Sequence, residues 1–109
     1  MRIAVPIDEK DSKSVSISFG RAQYFLIYDT ETKESVILDN GVATSASGGA
    51  GILAAQFLVD NRVSALITPR CGQNAANVLE AAGVKVYKTT GTSVNDNIDA
   101  FRTETLPKS

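Results

Sequence analysis

The chain has 109 residues, of which 43% are hydrophobic and 21% charged, with a formal net charge of -1. This length fits a single domain, residues 1–109, and the composition is that of a globular protein, which excludes intrinsic disorder and fibrous repeats. Eleven Lys and Arg residues are balanced by twelve Asp and Glu residues. We therefore expect no general affinity for nucleic acid.

Histidine is absent from the sequence, and Cys71 is its single cysteine. One chain therefore cannot build a Ser-His or Cys-His nucleophile pair, an imidazole metal ligand, a disulfide or a multi-cysteine metal site. This favours a binding protein over an enzyme. A free cysteine is typical of the cytoplasm, and no apolar run is suited to a signal peptide or a membrane span. We predict a soluble cytoplasmic protein with no membrane partner.

Three strands and a helix are predicted in the first half of the chain. Arg2–Ile7 is an apolar run typical of a strand buried on both faces, and residues 23–28 are aromatic and β-branched, which also favours a strand. Residues 30–33 form the turn to a third strand over residues 35–38. After a glycine-rich loop, residues 52–59 are apolar almost all round, which predicts a helix buried against a sheet.

The second half alternates strands and helices. Residues 63–68 predict a fourth strand, residues 73–82 a helix closed by glycine, and residues 84–87 a fifth strand. Ser93 is followed by an acidic residue three positions later, which predicts an N-cap on a last helix. We expect the tail, residues 106–109, to fray.

The element order is therefore βββαβαβα. A hairpin followed by right-handed crossovers predicts an α/β fold with a mixed five-stranded sheet and helices on both faces. With strand 2 as the antiparallel member, the strand order is 3-2-1-4-5. The loops at residues 8–21, 45–51, 70–74 and 89–92 then share one rim, where open α/β sheets place their sites.

A glycine-rich turn, containing Gly48, Gly49 and Gly51, opens the first predicted helix. Such a turn lets backbone N–H groups and the helix dipole meet an anion, or it simply allows the helix to pack closely on its neighbours. The segment lacks the Lys-Ser/Thr ending of a Walker loop and the spacing of a dinucleotide fingerprint. ATP and NAD binding are therefore not predicted.

Cys71 follows strand 4 and directly precedes a helix. Helix amides and the neighbouring Arg70 would stabilise a thiolate there, and a thiolate is a soft metal ligand. The alternative is an inert small hydrophobic residue. Gly72 and Asn74 lie at the start of the same helix, where Asn74 either offers its amide to a ligand or serves the helix start.

Arg21 precedes strand 2, so its fork of donors either clamps an oxyanion at the rim or pairs with Asp8 or Asp29. Asp8 also closes strand 1 as a metal-binding carboxylate would. Two-metal nuclease chemistry needs several carboxylates, however, and the end of strand 4 offers none.

Four segments in sequence resemble the dinitrogenase iron-molybdenum cofactor biosynthesis family over nearly the whole chain. They are Ser18-Phe19-Gly20-Arg21-Ala22, Ser47-Gly48-Gly49-Ala50-Gly51-Ile52, Cys71-Gly72-Gln73-Asn74-Ala75 and Ala82-Gly83-Val84-Lys85-Val86-Tyr87. The resemblance implies a ribonuclease H-like α/β fold and binding of anionic iron–sulfur–molybdenum clusters or their precursors. Many relatives have His where this chain has Ser18, and many have Pro where it has Gln73.

We therefore predict a small non-enzymatic carrier or scaffold that transiently binds an iron–sulfur or iron–molybdenum type cluster and exchanges it with a donor or acceptor protein. The alternatives are a metal-free module for an anionic or phosphate ligand and, from the fold alone, a metal-dependent nuclease. The predicted binding residues are Arg21, Gly48, Gly49, Gly51, Cys71, Gly72 and Asn74, with Cys71 as the metal ligand. One cysteine cannot fill four metal positions, so a cluster would also use its own sulfides, small molecules, Asp8 or a second chain's Cys71.

Overall fold

A computed structural model describes residues 1–108 and contains five strands and four helices. In chain order these are β1 (Arg2–Ile7), β2 (Tyr24–Asp29), β3 (Ser35–Asp39), α1 (Gly41–Thr44), α2 (Ala50–Asp60), β4 (Ala65–Thr68), α3 (Gln73–Ala81), β5 (Lys85–Lys88) and α4 (Val94–Arg102).

The strands form one sheet in the order β3-β2-β1-β4-β5. β2 runs antiparallel to both of its neighbours, while β1, β4 and β5 are parallel. The predicted α/β sheet, its strand order and the antiparallel β2 are confirmed. Pro6 has no N–H to donate, and it lies beyond the paired segment of β1 and β4, where its carbonyl accepts from the Ser16 amide at 2.8 Å.

Alternating side chains of the central strands build a core on each face of the sheet. On one face Ala4 and Leu66 pack with buried residues of α1, α2 and α3. On the other face Val5 and Ile67 pack with α4 through Val94 and related side chains. Helices therefore cover both faces, as predicted, with three on one face and one on the other.

The last helix begins where the sequence predicts. The Ser93 hydroxyl accepts a hydrogen bond from the Asp96 amide at 3.1 Å, which is the expected N-cap contact. Val94 and Ile98 are buried on the face of α4 that meets the sheet, because they lie one turn apart.

Two parts of the chain differ from the prediction. α1 was not expected, because a four-residue helix is too short to show an apolar period. The tail does not fray over residues 106–108: Leu106 is buried, Lys88 N donates to Pro107 O at 2.9 Å, and Lys108 pairs with Tyr87. Ser109 lies outside the described residues. Within residues 1–108, no helix has the length and apolar character needed to cross a membrane.

Candidate functional site

A cleft of about 600 Å³ opens beyond the carboxyl ends of β1 and β4. Three segments line it: residues 17–21 before β2, residues 49–52 at the start of α2, and residues 70 and 72–75 at the start of α3. The sheet topology brings these segments together, since the loop after β1 and the helices that follow β3 and β4 emerge at the same end.

Five of the seven predicted binding residues line this cleft. They are Arg21, Gly49, Gly51, Gly72 and Asn74. Gly48 precedes the α2 cap and is not among the lining residues. The remaining loop on the predicted rim, residues 89–92, lies outside the cleft and is joined to the loop after β1, because Val15 N donates to Thr92 O at 2.8 Å.

The charges that line the cleft are of one sign. Arg21 and Arg70 are its charged lining side chains, and none of the lining residues is Asp or Glu. The first turns of α2 and α3 also contain no acidic residue. The electrostatic potential of the cleft therefore favours an anion.

The first amides of α2 and α3 add to this preference. The caps, Gly49 and Gly72, make no side-chain capping hydrogen bond. Intrahelical bonding begins with Leu53 N to Gly49 O at 3.1 Å and with Ala76 N to Gly72 O at 2.9 Å. The preceding N–H groups of each helix have no intrahelical acceptor, so they are available to an anionic ligand.

Gly20 brings the loop before β2 against the start of α2. A Cβ on Gly20 would lie 2.8 Å from the backbone N of Gly51 and 2.9 Å from its Cα, so only glycine fits. A Cβ added at Gly51 would lie at an ordinary 3.6 Å from Ala75 of α3. Close backbone approach therefore occurs at Gly20 and not in the glycine-rich turn, because a Cβ added at Gly48 or Gly49 would meet no atom within 4 Å. The packing role considered for that turn is not supported, although Gly49 has a φ of 71° that favours glycine.

Asn40 anchors the same loop through its side chain, a role that was not predicted from the sequence. The side chain is buried, and its Nδ2 donates to Gly20 O at 3.2 Å and to Ala22 O at 2.9 Å. The Asn40 backbone N donates to Gln23 O at 3.0 Å. The sequence signal was limited to a polar residue before a glycine at the end of a strand, which is typical of any turn.

Arg21 has a structural contact as well as a place in the cleft. Its Nη1 donates to Thr44 O at 3.1 Å and to Ala46 O at 2.9 Å, which holds the end of α1. The expected alternative pairing with Asp8 or Asp29 is wrong, because Asp8 accepts from Ser16 Oγ and Asp29 lies near the N-terminal amine. Both arginine contacts use Nη1, and neither involves Nε or Nη2.

Ser18 lines the cleft at the position where many relatives were expected to have His. Its hydroxyl accepts a hydrogen bond from the Arg21 backbone N at 3.1 Å. The side chain thereby fixes the local turn that carries the arginine. Gln73, the second departure from the family pattern, also lines the cleft, and its Nε2 donates to Asn77 Oδ1 at 2.9 Å.

Cys71 lies at the start of α3 but does not line the cleft. It is half-buried, packs against the core, and borders a separate cavity of about 480 Å³ with Glu80 and Val84. Burial raises the pKa of the Cys71 thiol, the opposite of the lowering expected from Arg70 and the helix amides. Within residues 1–108, no three His, Cys, Asp or Glu side chains are placed to hold a metal ion.

Comparison with known proteins identifies the family. Residues 1–104 match the model of the family described as "Dinitrogenase iron-molybdenum cofactor", and the chain belongs to this family. An uncharacterised protein of Methanocaldococcus jannaschii is 32% identical over 111 residues, which cover 99% of this chain and 91% of that protein. The resemblance predicted from the four sequence segments is confirmed.

Solved structures give the same result. The apo form of the orange protein from Desulfovibrio gigas matches with a TM-score of 0.92 and 34% identity, covering 99% of this chain and 92% of that one. A candidate NifB protein from Thermotoga, of the DUF35 family, matches with a TM-score of 0.83 and 41% identity, covering 98% and 91%.

Proposed function

We propose that this protein is a non-enzymatic carrier or scaffold that transiently binds an anionic metal–sulfur cluster, of the iron–sulfur or iron–molybdenum type, or its precursor. One observation carries the proposal: Arg21, Arg70 and the uncapped starts of α2 and α3 meet at one cleft that no carboxylate lines. Family membership supports a cluster over other anions, since the family description names the iron-molybdenum cofactor.

The cluster carries its own ligands in this proposal. The described residues place no set of three metal-ligating side chains together, and Cys71 borders a different cavity. The protein would therefore hold the sulfides and other outer atoms of the cluster through arginine and backbone N–H donors, without a bond to the metal. A donor or acceptor protein can then exchange the cluster without breaking a metal–protein bond.

A structural relative adds support of a different kind. The orange protein structure is described as an apo form, a word used for a protein without its ligand or cofactor. At 34% identity, with a TM-score of 0.92 and nearly complete coverage, that protein shares the overall fold of this chain. We extend the existence of a ligand-bound state to this chain as part of the proposal.

The second candidate is a metal-free module for a phosphate or another small anion. The same observation favours it, because arginines and helix N-termini bind phosphate as readily as a sulfide-ligated cluster. A ribonuclease H-like metal-dependent nuclease has the least support. Such chemistry requires convergent metal ligands, and residues 1–108 contain no group of three suitable side chains.

The test is anaerobic reconstitution with tetrathiomolybdate, ferrous iron and sulfide, followed by gel filtration, visible absorption and metal analysis. We expect the wild-type protein to retain coloured metal. The double variant Arg21→Ala/Arg70→Ala should retain at least tenfold less, since each charge-assisted contact contributes about 1.5–3 kcal/mol. Arg102→Ala removes an exposed arginine of α4 outside the cleft and is the matched control.

The Cys71→Ser variant separates two ways of holding the cluster. Retention equal to wild type supports a cluster held without the thiol, whereas complete loss would show that Cys71 anchors it. If neither protein retains metal, but inorganic phosphate binds with the same dependence on the two arginines, the metal-free module is the correct function.

A further inference from the structure

A second concave feature, an apolar groove of about 240 Å³, lies between α1 and α2. Val42 and Ala43 of α1 form one side of the groove, and Leu53 and Phe57 of α2 form the other. No residue that lines this groove also lines the cleft. The groove is therefore a separate feature of the surface.

Two apolar side chains of the groove are exposed, while Ala43 is buried and Phe57 packs against the core. Val42 is 76% exposed and Leu53 is 39% exposed. Ile52, at 43%, and Ile17, at 84%, are also exposed, but they line the cleft and not the groove. Single exposed apolar residues are ordinary, but a group of them along one groove is typical of a surface that binds another protein.

The charge at the groove is opposite to that of the cleft. Asp39 and Asp60 line the groove, and none of its lining residues is Lys or Arg. None of the ion pairs within residues 1–108 uses either carboxylate. Asp60 Oδ1 accepts only a neutral hydrogen bond, from Gln56 Nε2 at 2.9 Å. A partner that covers the apolar floor would bring its own charges next to these carboxylates.

We propose that this groove binds a segment of another protein that inserts one apolar side chain between Val42 and Leu53 and places Lys or Arg beside Asp39 and Asp60. The apolar floor accounts for the anchor, and charge complementarity selects basic flanking residues over acidic ones. Apolar burial at the centre and charge pairing at the rim is the usual arrangement of such interfaces. The proposal stands on the groove alone and does not depend on what the cleft binds.

The test begins with a phage library of random twelve-residue peptides selected on the wild-type protein. We expect enriched peptides to share an apolar residue flanked by Lys or Arg, and a fluorescent copy to bind in solution. Val42→Ser should weaken this binding at least fivefold, and so should Asp39→Asn/Asp60→Asn. Val36→Ser, at a residue of β3 that is 50% exposed, is the matched control and should bind as wild type.

Several outcomes would overturn the proposal: no enrichment, enriched peptides without basic residues, or binding that Val42→Ser leaves unchanged. Sedimentation velocity tests whether a second copy of this chain occupies the groove. A concentration-dependent dimer that Val42→Ser abolishes would assign the groove to a second copy of this chain. The variant Arg70→Ala, at a cleft residue that does not line the groove, should bind the peptides as wild type does, so failure of the carrier proposal leaves this result intact.

Discussion

The start of α4 differs from the starts of α2 and α3. At α4 the Ser93 hydroxyl accepts from the Asp96 amide at 3.1 Å, and the Val94 amide donates to Lys13 O at 2.9 Å. Asp96 also places a carboxylate in the first turn. At α2 and α3 the caps are Gly49 and Gly72, which make no such side-chain contact.

The difference separates a helix start that is capped by its own side chains from two whose first amides are open, which the proposed function assigns to binding. A side-chain cap contributes about 1 kcal/mol, and an acidic residue in the first turn adds a favourable interaction with the helix dipole. α2 and α3 forgo both, and their open amides face a cleft lined by two arginines. The unsatisfied donors are concentrated where an anion would satisfy them.

The largest expected effect comes from displacing the start of α2. In Gly20→Ala the new Cβ would meet the Gly51 backbone at 2.8 Å, where no flexible side chain can move aside. We expect a loss of about 3 kcal/mol in the free energy of unfolding, at the upper end of overpacking costs. For a domain of this size that lowers Tm by about 15 °C in a circular dichroism melt.

Gly48→Ala is the control for that experiment. No atom lies within 4 Å of a Cβ added at Gly48, and its φ is not positive. Its stability should stay within about 0.5 kcal/mol of wild type. Equal melting of Gly20→Ala and wild type would show that the loop and the helix start are not in contact.

Asn40→Ala removes the buried amide that holds Gly20 and Ala22. Two carbonyl acceptors lose their donor, so we expect a loss of about 2 kcal/mol in urea unfolding. Asn95→Ala, at an exposed position of α4, should change stability by less than about 0.5 kcal/mol. A loss as small in Asn40→Ala would contradict the anchoring role.

Exchanging the caps tests the comparison directly. Ser93→Ala should lower stability by about 1 kcal/mol and leave tetrathiomolybdate binding unchanged, because α4 does not line the cleft. Gly72→Asp should instead leave stability nearly unchanged and weaken tetrathiomolybdate binding. A carboxylate at this extended cap gains a few tenths of a kcal/mol and repels the anion. If both variants affect binding equally, the two kinds of helix start do not differ in function.

The smallest effect concerns Cys71, beside the open start of α3. Burial raises the pKa of its thiol, so the thiolate is scarcer at pH 7.5 in the folded protein than in urea. Iodoacetamide should react more slowly with folded protein, and the rate should still rise above pH 9. Faster reaction in the folded state would mean that the helix amides outweigh burial.

Local signals made most of the fold predictable. The Ser93 cap and the apolar run of β1 depend on neighbouring residues only, and both were predicted correctly. The position of residues 106–108 depends on contacts with β5, which is distant in sequence, and it was not predicted correctly. The ribonuclease H likeness implied by the family stays a prediction.

The candidate site was predictable in outline but not in its supports. Strand order alone places Arg21 and Gly49 at one end of the sheet. The contact of Gly20 with Gly51 and the bonds of Asn40 join residues far apart in sequence, so no local pattern indicates them. Which cavity Cys71 borders likewise depends on how α3 packs beside β5.

The central position of β1 has a consequence for the order of folding. Ile3 pairs with Ala65, so β1 cannot pair with β4 until the chain has been made past its midpoint. Closing so long a loop loses conformational entropy before any stabilising contact forms, so such pairings form slowly. During synthesis we expect the β1–β3 meander to be available early. The parallel half of the sheet, and with it the Arg70 side of the cleft, forms only after residues 65–75 have left the ribosome.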